Sequence, residues 1–124
     1  MNKEIRSSSA PKPIGPYSQG VDAGGIVFCS GQVGSDPATG NLEDGIALQT
    51  RKALSNVREV LRAAGLDLEN VTKTSVFMTD LSQFAQMNEE YSRHFKAPFP
   101  ARTTVQVAAL PRGALVEIDA IAKK

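Results

Sequence analysis

The segment from Pro98 to Ala122, PFPARTTVQVAALPRGALVEIDAIA, restricts the folds open to this chain more than any other stretch. Two runs of alternating character, Arg102–Ala109 and Ala114–Ala122, flank Leu110-Pro111-Arg112-Gly113. A period of two is the pattern of a strand with unlike faces. Proline inside that tetrapeptide presets φ and its closing glycine admits positive φ, so a tight reversal is expected. Paired as a hairpin, the runs would place Arg102 and a carboxylate, Glu117 or Asp119, on neighbouring strands of one sheet. Pro98 and Pro100 stiffen the approach to Arg102, and a guanidinium held there suits the grip of a small acid.

The remaining elements follow in order. Ala10–Tyr17 (APKPIGPY) carries three prolines and a glycine, which makes it an extended lead-in rather than a helix. Ser18–Ala23 reads as a short strand, Gly24-Gly25 as a hairpin turn and Ile26–Val33 as the returning strand. Gly34–Asp44 is a loop with Asp36-Pro37 and Thr39-Gly40 as turn signals. A helix then runs to about Ala64. Ile46, Thr50, Ala53, Leu54, Val57, Val60, Leu61 and Ala64 recur at steps of three and four, with Asp44 as N-cap and Gly65 just past the end. Val71–Met78 is a β-branched strand. Leu81–Lys96 repeats the helical pattern through Phe84, Met87, Asn88, Tyr91 and Phe95. The expected order is β-β-α-β-α-β-β, a single α+β domain over residues 1–124 with one mixed sheet.

Two helices cover only one face of such a sheet. Yet Ile26–Val33 is apolar on both faces, and Val105, Val107, Leu115 and Ile121 fall opposite the residues assigned to the helix side. An open apolar face of that size predicts a homo-oligomer whose clefts are lined by two chains. Other partners are disfavoured. No apolar run approaches the ~18 residues of a membrane span, and MNKEIRSSSAPKP lacks the apolar core of a secretory signal. The lone cysteine excludes an intramolecular disulfide and fits a reducing cytoplasm. A formal net charge of +1, with Lys and Arg scattered, argues against nucleic acid.

Several side chains qualify for chemistry, each with a plainer alternative. Arg102 either clamps a carboxylate or pairs with a nearby acid on the surface. Glu117, flanked by Val116 and Ile118, is a candidate general acid or base, or else the partner of Arg102 or Arg112. Tyr17 ends the stiff lead-in, where its hydroxyl overlooks a site or merely rims the core. In Ser30-Gly31-Gln32, Gly31 admits a ligand close to the backbone or marks a bulge. Asn88 sits in an apolar stripe, an odd place for an amide without a specific partner. Asp119 reads as structural or solvated, Cys29 as a buried inert thiol, and His94 as a lone histidine without companions for a metal site. No serine-hydrolase elbow and no P-loop are present.

Taken together, GPYSQG at Gly15–Gly20, VFCSGQVG at Val27–Gly34, VTKTSVFMTDL at Val71–Leu81 and the Pro98–Ala122 segment resemble the RidA (YjgF-type) family of reactive-intermediate deaminases. The resemblance implies a chorismate-mutase-like α+β fold assembled as a homotrimer with active sites between subunits. It implies hydrolysis of 2-imino acids, such as 2-iminobutanoate and 2-iminopropanoate, to 2-oxo acids and ammonia. The imines would come from enamines released by pyridoxal-phosphate dehydratases, and neither metal nor organic cofactor would be needed. By position, Arg102 would clamp the substrate carboxylate and Glu117, helped by Tyr17, would activate water. Ser30, Gly31, Asn88 and Thr104 would line the pocket. Some members carry cysteine where this chain has Thr104, and the signature tends to a smaller residue at Thr103. Competing readings are a non-catalytic, small-acid-binding or chaperone-like trimer, and the endoribonuclease activity attributed to some members.

Overall fold

The computed structural model describes residues 1–124. Eight elements form in the order β1 (Lys3–Ile5), β2 (Gly20–Asp22), β3 (Ile26–Val33), α1 (Gly45–Ala63), β4 (Val71–Met78), α2 (Phe84–Ser92), β5 (Ala101–Gln106) and β6 (Val116–Lys123). The six strands make one mixed sheet in the spatial order β1-β2-β3-β6-β4-β5. Only β4 and β5 run parallel.

The Gly24-Gly25 reversal forms as its residues dictate. Both glycines take positive φ, at 83° and 100°, and the Gly25 N–H donates to Asp22 Oδ1 at 2.8 Å. Helix α1 follows its apolar stripe, burying Ile46, Ala53, Leu54, Val57, Val60 and Leu61 against the sheet. Gly65 closes it at φ 79°, where the Leu66 N–H reaches back to the Leu61 carbonyl at 2.9 Å. Asp44 stands at the N-cap position but makes no side-chain capping bond.

Three expectations are corrected. The two C-terminal runs do not pair as a hairpin. The β5 strand ladders with β4 alone, at the sheet edge, while β6 sits centrally between β3 and β4. The Pro111–Gly113 turn, with Arg112 at φ 61° and Gly113 at φ 72°, therefore carries the chain across β4 rather than back along β5. The second predicted helix is shorter. Leu81–Gln83 is a 3-10 turn opened by Asp80, whose carboxylate accepts from the Ser82 N–H, and α2 ends at Ser92. Finally, Lys3–Ile5 pairs with β2 as an extra edge strand, with Ile5 in the core.

Both helices lie on one face of the sheet. Val76 and Met78 of β4 and Val116, Ile118, Ala120 and Ala122 of β6 point to them in one core of 21 buried residues. On the other face Phe28 (47% exposed), Ile26 (44%) and Val105 (39%) stand open, beside Phe77 and Ile121. The open apolar face is as expected, except that Leu115 packs against the core. Its N–H donates to Gln49 Oε1 of α1 at 2.8 Å, which bends the chain inward before β6 begins.

Buried at the α1–α2 seam is one carboxylate, Glu90 (2% exposed). It accepts two bonds from Arg51 at 3.2 Å, one from Arg93 at 3.0 Å, and lies 2.8 Å from His94 Nε2. Burial alone would raise this carboxyl, but hydrogen bonds and charge from Arg51 and His94 hold it down to about 2, against the usual 4.5. A depressed carboxyl stabilises the fold above its unfolded value and loses that contribution as pH falls from 4.5 towards 2. We expect Glu90→Gln to cost on the order of 2–3 kcal/mol at neutral pH and to flatten stability between pH 5 and 2. Urea unfolding at fixed protein concentration measures both, and an unchanged slope with pH would refute the assignment.

Candidate functional site

Register places Arg102 first. It pairs with Thr74 in the parallel β4–β5 ladder, so both face the helix layer, and Thr104, opposite Val76, shares that face. The Arg102 guanidinium lies 4.8 Å from the ring centroid of Tyr91 and 5.6 Å from that of Phe84, both on α2. It makes no ion pair: every salt bridge of the chain is elsewhere. The plainer reading of Arg102 as half of a surface pair does not hold. Asn88 is four residues after Phe84 and three before Tyr91, hence on the same face of α2. Its Oδ1 and Thr104 Oγ1 are buried with no hydrogen-bond partner. Buried groups left so cost roughly 1–3 kcal/mol each, which makes such atoms rare. Here two of them accompany a free guanidinium.

Glu117 stands on the opposite face. In β6 it lies between Val33 of β3 and Phe77 of β4, and it forms neither the ion pair with Arg102 nor the one with Arg112. Arg112 instead donates to the Gly40 carbonyl at 2.7 Å. Burial, then the charge of Asp119, push the Glu117 carboxyl above its usual range. Of the two readings of Gly31, the bulge is the one that forms. A register shift between Cys29 and Gln32 marks a bulge, and a Cβ at Gly31 would stand 2.6 Å from Glu117 Oε2. The carboxylate occupies the space that glycine leaves.

Ser30 adjoins this second group. Its Oγ donates to the Ser18 carbonyl at 2.6 Å, next in sequence to the half-exposed Tyr17, whose hydroxyl oxygen accepts from the Ile14 N–H at 3.4 Å. Asp119 is structural, accepting from the Ser75 N–H at 3.0 Å. Cys29 is inert, its thiol pushed up to about 12 by burial and the charge of Asp119. A hollow of about 670 Å³ between Arg58, Asp67, His94 and Pro100 holds none of the candidate residues. Its Arg58 and His94 are already engaged by Asp67 and Glu90.

One chain therefore holds its candidate residues in two groups on opposite faces of the sheet: Arg102, Thr104 and Asn88 on one, Glu117, Gly31 and Ser30 on the other. Sequence reading missed Phe84, Tyr91 and Thr74, which frame Arg102. The signal was the spacing of both rings around Asn88, hidden because aromatics at helical steps ordinarily read as core.

Comparison with known proteins agrees with this architecture. Residues 7–124 match the family model described as Endoribonuclease L-PSP. The human 2-iminobutanoate/2-iminopropanoate deaminase is 46% identical over 123 residues, covering 98% of this chain and 90% of its own length. The crystal structure of RidA from the Antarctic bacterium Psychrobacter superposes with a TM-score of 0.96 at 43% identity, over 98% of this chain and 99% of that one. Escherichia coli TdcF, solved with bound serine, superposes at 0.94 with 44% identity, over 98% of each chain.

Proposed function

This chain belongs to the endoribonuclease L-PSP family, RidA among its members, and from that premise we propose that it hydrolyses 2-imino acids to 2-oxo acids and ammonia. The observation that carries the reading is the free Arg102 guanidinium beside two unsatisfied buried polar atoms. A 2-imino acid offers what that wedge lacks. Its carboxylate matches the planar fork of Arg102 and accepts from the Thr104 hydroxyl, and its protonated imine N–H donates to Asn88 Oδ1.

Hydrolysis needs little beyond position. Water adds to the imine carbon while Glu117, assisted by Tyr17, takes its proton. Glu117 passes that proton to the amine of the resulting tetrahedral species, the C–N bond breaks, and ammonia departs as the hydroxyl returns its own proton to Glu117 and the C=O forms. Arg102 contributes orientation, turning a bimolecular encounter into a near-attack geometry. No step calls for a metal or organic cofactor.

In this reading the halves meet between copies. The uncovered face of one chain, centred on Phe28, Val105 and Glu117, packs beside the Arg102 edge of the next, and a cyclic homotrimer closes three equivalent sites. The free Cys29 suits a reducing cytoplasm. The test of function is semicarbazide competition, with a dehydratase supplying fresh 2-aminoacrylate and 2-aminocrotonate. The protein should lower semicarbazone yield in proportion to its concentration, and an unaffected yield would end the proposal.

Assembly has its own test. Phe28 is 47% exposed opposite Ile121, so Phe28→Asp leaves the core intact while placing a charge on the open face. We expect light scattering to show monomer, circular dichroism to be unchanged, and imine turnover to fall at least tenfold. A monomer with full turnover would show that the site needs no second copy.

A further inference from the structure

Every arginine but one has a polar partner within the chain. Arg6 pairs with Glu4, Arg51 and Arg93 with Glu90, Arg58 and Arg62 with Asp67, and Arg112 donates to the Gly40 carbonyl. Arg102 alone is held by ring faces, at 4.8 Å from Tyr91 and 5.6 Å from Phe84. The difference has a chemical consequence. An acidic partner would fix a guanidinium but occupy its N–H donors. A ring face attracts the cation through its quadrupole and leaves the donors, which lie in the guanidinium plane, unoccupied.

The support under the ring is itself fixed. Tyr91 is buried, its hydroxyl lies 2.7 Å from Thr74 Oγ1, and its ring meets that of Phe95 at a centroid distance of 4.7 Å. Thr74 is the residue opposite Arg102 in the β4–β5 ladder. A closed circuit results, from the Arg102 backbone to Thr74, from the Thr74 hydroxyl to Tyr91, and from the Tyr91 ring back to the Arg102 guanidinium. The head of the side chain is thus tied to the same strand pair as its root.

We propose that Tyr91 and Phe84 are positioning residues for Arg102, an aromatic platform that sets the guanidinium plane while leaving its N–H donors free for a ligand carboxylate. The proposal rests on the hydrolase reading only for the identity of that acid. Because the platform acts on the carboxylate, which substrate and product share, its loss weakens binding of both and leaves the chemical step almost untouched. The ring matters, and the hydroxyl only steadies it.

The experiment is calorimetric titration of 2-oxobutanoate into the assembled wild type, Tyr91→Phe, Tyr91→Leu and Phe84→Leu, with imine turnover measured in parallel. Tyr91→Leu should weaken binding roughly five- to twentyfold and Phe84→Leu roughly threefold, the range expected of one cation–ring contact. In turnover the change should fall on KM, with kcat within about threefold of wild type. Tyr91→Phe keeps the ring and should restore affinity to within about threefold. Phe84 is 38% exposed, so its variant reports even if Tyr91→Leu fails to fold. Folded leucine variants that bind as tightly as wild type would overturn the platform, as would a Tyr91→Phe variant as weak as Tyr91→Leu. A wild type that binds no 2-oxobutanoate would overturn it too. A wild type whose affinity depends on the rings but which leaves the imine untouched supports the platform and removes the hydrolase reading instead.

Discussion

Arg102→Ala should lower kcat/KM for 2-iminobutanoate at least a hundredfold and leave the fold and the assembly in place. The magnitude comes from the partner it abandons. Truncating one half of a desolvated, hydrogen-bonded charge pair costs about 2–5 kcal/mol, which is thirtyfold to several thousandfold in affinity for the transition state. Arg102 lies on the sheet's edge strand with no salt bridge to break, so the folded chain loses little more than ring contacts. Arg102→Lys should recover less than tenfold of the loss, because an ammonium keeps the charge but neither the fork nor the stacking. Dehydratase-coupled kinetics with circular dichroism alongside decide the matter. Turnover within tenfold of wild type in a folded Arg102→Ala protein would refute the clamp. The same variant bears on the ribonuclease name carried by the family model: RNA cleavage that survives Arg102→Ala belongs to another site or another protein.

How much of this was legible beforehand depends on whether the determining physics was local. Ile26–Val33 and Val71–Met78 have the boundaries expected of them, because β-branched runs bounded by glycine or polar turns leave a chain little choice. Helix α1 was equally readable from its stripe and its Gly65 stop. Strand pairing was not. Arg102–Ala109 and Ala114–Ala122 alternate identically whether they pair with each other or each with β4, and only burial of β6 between β3 and β4 settles it. Lys3–Ile5 was invisible because three residues carry no period, and their strand exists only by pairing with β2.

The site divides in the same manner. Arg102, Asn88, Glu117, Gly31 and Ser30 were nameable from their place in the pattern and Thr104 from the family resemblance, and the bulge at Gly31 was one of its two readings. Their grouping was not nameable, since it depends on which face each strand turns to which layer. The mistaken hairpin put Arg102 and Glu117 side by side, whereas the observed register puts them back to back. That correction strengthens the case for oligomerisation. An arginine and a carboxylate that one chain holds apart can serve one substrate only if another chain supplies the missing half.

Glu117→Gln tests that half. A general base in the transition state contributes about 10²–10⁴ in rate, so kcat should fall by at least a hundredfold while 2-oxobutanoate binding, assigned to Arg102 in the proposal, stays within about threefold. Burial and Asp119 both raise the Glu117 carboxyl, so its basic form is lost at a higher pH than for an ordinary glutamate. The acid limb of wild-type kcat/KM should therefore lie above that of an ordinary glutamate, should move down in Asp119→Asn, and should vanish in Glu117→Gln. Gly31→Ala should imitate Glu117→Gln in kcat, since the added Cβ would stand 2.6 Å from Oε2 and drive the carboxylate from its place. The decisive arrangement combines both inactive proteins. If each site takes Arg102 from one copy and Glu117 from its neighbour, random reassembly of equal amounts of Arg102→Ala and Glu117→Gln subunits leaves about one site in four with both native residues. Roughly a quarter of wild-type activity should then return on mixing. If each chain carried its own complete site, every site would lack one residue and the mixture would stay inactive.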